Sequence, residues 1–170
     1  LGKASETSRF TLAEDTRPVP QVYKYKLSAM GVKKRISLAF DWQNDRVTDR
    51  AAEPRWTLEL PSGALDPLSM QLKLREDVMR GETSLTYQVA RKGRIKDYHF
   101  IVEAEEVTDT LIGPLRTVRV RRDRGDDSSK STMIFWRERY EGHCHGVQRG
   151  EVAAGISSDN HGGDLRTDHA

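Results

Sequence analysis

At 170 residues, with 36% hydrophobic and 32% charged side chains, the chain is long enough to bury one core and has no need of a second. A net charge of +2 is too small to argue for a nucleic-acid partner, and no apolar run reaches membrane-spanning length. The single cysteine, Cys144, excludes an internal disulfide and leaves the redox compartment unread.

The chain starts at Leu1 rather than Met, which is read as the mark of a processed or truncated sequence. Strand signals then dominate to about residue 137. Arg9 to Leu12 is a first short strand. Tyr23, Tyr25 and Leu27 oppose Lys24, Lys26 and Ser28, the period-two pattern of a half-buried strand. The clearest case follows: Ile36, Leu38, Phe40 and Trp42 share one face while Arg35, Ser37, Ala39 and Asp41 share the other. Arg46 to Arg50 and Trp56 to Leu60 continue the series, with Trp56, Leu58 and Leu60 facing in. Turn residues such as Asn44-Asp45 between the runs predict hairpins and an antiparallel meander.

One helix is predicted over about 67–79. Asp66 is a good N-cap, Pro67 suits the first helical position, and Gly81 is placed to end the helix after Arg80. Leu68, Leu72 and Met79, with Leu65 and Val78, form the expected apolar stripe; Lys73, Glu76, Asp77 and Arg80 form the expected wet side. Beyond it, Leu85 to Ala90, Ile95 to Glu103, Leu115 to Arg122 and Ser131 to Arg137 read as further strands separated by Lys92-Gly93, Gly113-Pro114 and Gly125-Asp126-Asp127. The expected fold is therefore mainly β: an antiparallel, strongly curved sheet or half-barrel with one amphipathic helix packed on it.

Composition breaks at Gly142. From there on the chain holds the only Cys, four of the five His and six of the thirteen Gly, with no aromatic residue and no Lys. Residues 1–141 are accordingly read as one β-rich domain and 142–170 as a disordered or atypical tail, too poor in large apolar groups to offset ordering entropy.

No catalytic, metal or phosphate motif of high specificity occurs in the sequence. His143 and His145 flank Cys144 at a usable ligand spacing, but a Gly-rich tail offers no rigid scaffold or supporting hydrogen bonds, so they stand as weak metal ligands only. Glu103, Glu105 and Glu106 could furnish a carboxylate pair, yet no His or nucleophile accompanies them at a short, suggestive spacing, and a solvated strand end explains them. Asp41 points away from Phe40 and Trp42 and suits a turn better than a general base. Arg119 and Arg121 are the anion-binding candidates of a basic cluster with Arg122 and Arg124, whose ordinary alternative is a solvated face paired with acidic neighbours. Phe40, Trp42, Trp56, Leu68 and Leu72 could line an apolar pocket between helix and sheet, or simply fill the core.

Several segments in order carry a resemblance. Glu6-Thr7-Ser8-Arg9-Phe10, Arg17-Pro18 leading to Tyr23-Lys24-Tyr25, Leu38 to Trp42, Leu65-Asp66-Pro67-Leu68-Ser69, Glu105 through Thr110 and Gly113, and Phe135-Trp136 resemble domain of unknown function family 3108, over roughly residues 5–137. The resemblance implies an exported, periplasmic or envelope-associated bacterial protein without an assigned enzymatic activity. It also implies missing N-terminal strands and a proline-containing strand after the Trp, where Arg139 to His145 departs from the pattern; a shifted reading frame or truncated gene would produce that switch. The expected function is non-enzymatic and without a cofactor, with an apolar or lipid-like ligand held between helix and sheet. A structural or protein-interaction module of the envelope is the alternative, and a metal-dependent hydrolase a more remote one.

Overall fold

The computed structural model describes residues 3–29, 31–110, 113–123 and 131–136. Among the described residues nine strands and one helix follow one another as β1 (Lys3–Leu12), β2 (Pro18–Ala29), β3 (Val32–Asp41), β4 (Arg46–Asp49), β5 (Trp56–Glu59), α1 (Pro67–Met79), β6 (Ser84–Arg91), β7 (Arg94–Thr110), β8 (Gly113–Asp123) and β9 (Ser131–Trp136). They form two antiparallel sheets in simple meander order, β1 to β5 and β6 to β9, and neither sheet closes on itself. The expected mainly β architecture with a helix over 67–79 is what the chain adopts.

In the first sheet the alternation of β3 decides the packing. Ile36, Leu38 and Phe40 are buried, and β2 contributes Tyr23 opposite Leu38. Pro18 opens β2, where a missing N–H is harmless, and Pro20 sits at a register shift between Arg9 and Phe10 of β1, a place where the ladder is already interrupted. Buried Asp49 accepts hydrogen bonds from the Ser37 and Ala51 backbone N–H groups, both at 2.9 Å, so its carboxylate secures the end of β4 instead of facing water.

The helix begins where the sequence places it. Asp66 accepts from the N–H groups of Leu68 and Ser69 at 2.9 and 3.0 Å, while the Ser69 hydroxyl accepts from the Asp66 N–H at 2.9 Å, a reciprocal capping box. Gly81, at φ +94°, ends it: its N–H donates to Val78, and the Glu82 N–H to Asp77. The buried face differs from the expected stripe. Leu68, Met70, Leu74 and Asp77 point inward, Leu72 is half-buried, and Met79 is 41% exposed. The apolar stripe is thus rotated toward Met70 and Leu74, and it admits Asp77 because Lys73 Nζ (2.5 Å) and the Tyr87 hydroxyl (2.6 Å) both donate to that carboxylate. A tertiary partner from β6, invisible to periodicity, sets the rotation.

Two hydrophobic clusters result. One holds Tyr23, Ile36, Leu38, Phe40, Val47, Leu60, Ala64, Leu68 and Ala90; the other holds Leu65, Met70, Leu74, Leu85, Val89, Tyr98, Phe100, Val118 and Val120. The segment ahead of α1 joins them. The Leu65 N–H donates to the Gln88 carbonyl at 2.9 Å and the Ala90 N–H to the Leu65 carbonyl at 2.8 Å, so Leu65 lies beside β6 as a one-residue parallel strand. Adjacent residues of β6 consequently serve different cores, Val89 one and Ala90 the other.

Candidate functional site

An open groove of about 510 Å³ lies at the end of β3, lined by Val19 and Gln21 of β2, by Ala39, Phe40, Asp41, Trp42 and Gln43, and by Arg50. Its apolar wall is built from Phe40 and Trp42, whose rings stack at 6.2 Å with an interplanar angle of 18°. The Trp42 indole N–H donates to the Pro20 carbonyl at 2.6 Å, which fixes the ring against β2 and uses the acceptor beside the strand irregularity. Arg50 is exposed, and no carboxylate among the described residues pairs with it. The groove therefore sets an aromatic wall against the polar side chains of Gln21, Asp41 and Gln43, with the Arg50 cation among its lining.

Of the five residues expected to line a pocket, the groove brings together Phe40 and Trp42. Trp56 packs against the first core and Leu68 is buried within it, while Leu72 is half-buried on α1; none of these three lines the groove. Asp41 lies on its margin as a turn residue. The Asn44 N–H and side-chain amide donate to its two oxygens at 3.2 and 2.8 Å, and the side-chain amide is the main reason its carboxyl is held below the usual carboxylate value.

The two anion-binding candidates are engaged. Arg119 pairs with Glu106, and Arg121 donates through Nε to Glu103 at 2.7 Å, across the β7–β8 ladder. Glu103 and Glu106 are thereby accounted for as cross-strand partners. His143 and His145 lie outside the described residues. Among the described residues no group of three or more His, Cys, Asp and Glu side chains is placed to hold a metal.

Sequence reasoning missed a buried polar hub where β1 meets the helix. The Ser8 hydroxyl donates to Asp66 Oδ2 at 2.6 Å across 58 residues of chain, in addition to the two backbone N–H groups on Oδ1. Asp66 is fully buried, and burial raises its pKa despite these donors. Beside it the Tyr23 hydroxyl donates to Glu6 at 2.5 Å, and burial, with the Glu6 carboxylate next, pushes the phenol far above its ordinary value. The only signal for this hub is that Glu6, Ser8, Tyr23, Asp66 and Ser69 all fall within the segments that carry the family resemblance. Chemically the hub ties an edge strand to a helix N-terminus, with every oxygen of Asp66 occupied.

Two open antiparallel sheets bridged by one capped helix, with a solvent-open groove beside the first core, define a small β domain. The chain belongs to the family described as "Protein of unknown function (DUF3108)", whose model matches residues 3–155. That match extends past the composition break at Gly142. No curated protein and no solved structure matches the chain. No helix among the described residues is long and apolar enough to cross a membrane.

Proposed function

We propose that the chain is a non-enzymatic protein of the bacterial envelope, working in the periplasm, that holds an apolar or lipid-like ligand. The observation that carries this reading is the groove walled on one side by the stacked Phe40 and Trp42 rings, a concave surface where an aromatic wall meets a few polar side chains. Its position refines the expected one: the ligand lies at the end of β3, alongside Val19 and Ala39, instead of beneath the helix. Mass spectrometry of gently purified protein should find co-purifying lipid, and Trp42→Ala should lose it while remaining folded. Lipid-free wild-type protein would remove the ligand reading. Osmotic-shock fractionation of cells expressing the complete gene tests the location separately, with recovery in the spheroplast fraction counting against it.

A second reading, an interaction module of the envelope, has its own observation. The ladder of β6 with β7 ends at Ile101, and among the described residues β7 continues to Thr110 with only β8 beside it, while Val107 on this extension is 67% exposed. A photo-crosslinker at position 107 should capture a protein in cells if this reading holds. Only solvent-quenched product would argue against it.

A further inference from the structure

The sequence Arg91-Lys92-Gly93-Arg94 makes the two-residue turn between β6 and β7. Lys92 and Gly93 have φ of +50° and +73°, the left-handed pair of a primed hairpin turn, and the ladder sets Arg91 directly opposite Arg94. Like charges directly opposite each other destabilise a hairpin. A fourth cation arrives from the other sheet: Lys34 of β3 lies near enough to be the first cause of the lowered Lys92 pKa. Proximity to Lys34, reinforced by Arg91 and Arg94, holds the Lys92 ammonium down at about 8. All these neighbours act in the same direction.

No carboxylate among the described residues forms an ion pair with Lys34, Arg91, Lys92 or Arg94, whereas Lys73, Arg80, Arg119 and Arg121 each have one. The turn is also backed by the core. A Cβ on Gly93 would lie 3.4 Å from the Trp56 indole nitrogen, so the loop rests on a ring that itself packs on the first cluster. The cations are thus displayed on a supported element, at the opposite end of β3 from the groove. Four converging, uncompensated charges from two sheets oppose folding, and a multivalent oxyanion bridging them reverses the sign of that interaction.

We propose that Lys34, Arg91, Lys92 and Arg94 form a binding site for a phosphate-bearing anion, either free or as a lipid headgroup. Arginine forks suit two phosphate oxygens at once and the lysines act as point charges beside them. The test is calorimetric titration of the whole chain with inorganic pyrophosphate, and co-sedimentation with phosphatidylcholine vesicles with and without phosphatidylglycerol. Lys34→Gln and Lys92→Asn should each weaken binding about tenfold, with Arg119→Gln as the unaffected control. Lys92→Asn leaves an Asn-Gly turn, so the hairpin is not at risk. In nitrogen NMR the Lys92 ammonium should titrate at higher pH once pyrophosphate is bound. Pyrophosphate binding alone supports a free phosphate, and binding to phosphatidylglycerol vesicles supports a headgroup. Binding of neither, or equal binding by wild type and both lysine variants, overturns the site.

Discussion

Asp66 carries the largest local consequence of any single side chain. Asp66→Ala removes the helix cap and strands the Ser8 hydroxyl and the Leu68 and Ser69 N–H groups, so it should destabilise the fold by about 2–4 kcal/mol in urea titrations. Its pH dependence has a defined sign. A carboxyl whose pKa is raised on folding contributes most when protonated, below its unfolded value, and that contribution fades as pH rises through the folded value. Asp66→Asn, which cannot ionise, should therefore be most damaging in acid and become less so toward neutrality. A penalty that grows with pH would show that the three donors outweigh burial. Leu74, fully buried, offers the apolar counterpart: Leu74→Ala should cost about 2–5 kcal/mol by the same measurement.

Among the elements, the β6–β7 hairpin is the one whose geometry conflicts most openly with its residues. Lys92 occupies a left-handed position that costs a side-chain-bearing residue about 1–2 kcal/mol, and Asn is far more at ease there. Lys92→Asn should accordingly raise stability by about 1 kcal/mol at neutral pH. It should also abolish a pH effect. Between about 8 and the ordinary 10.5, the unfolded chain keeps the Lys92 proton and the native hairpin releases it, so wild-type stability rises with pH across that window. Thermal melts of both proteins from neutral to alkaline pH would show the rise in wild type alone. How much of this was legible beforehand varies by element. The alternation of Ile36, Leu38 and Phe40, the Asp66-Pro67 start and the Gly81 stop are local signals, and each marked its element correctly. The inward turn of Asp77 was not legible, because its cause is Tyr87. Nor was the full length of β7, whose polar second half is extended by pairing of Glu103 and Glu106 with arginines of β8. Phe40 and Trp42 were legible as apolar, but the groove they wall also needs Val19, Gln21 and Arg50 from other parts of the chain.

For the molecule as a whole, the two clusters are linked among the described residues through β6, Ile95 of β7, Leu65 and the first turns of α1, and Leu65, Val89 and Ala90 in these links are buried. The two sheets should unfold together. Trp42 and Trp56 report on the first sheet by fluorescence, and amide exchange along β7 reports on the second. In Leu74→Ala protein both should share one urea midpoint, since the helix that loses packing is anchored in both clusters; separate midpoints would mean two independent folding units. The placement of Val89 and Ala90 back to back has a further effect on what sequence change the chain can absorb. Sliding β6 by one position would force a valine into the space sized for a methyl group on one side and leave a void on the other, while breaking both bonds to Leu65. An insertion or deletion in this strand cannot be hidden by re-registering it. β6 is in that sense the molecule's alignment key, and indels within the domain should accumulate in the connections around it and spare residues 85–90.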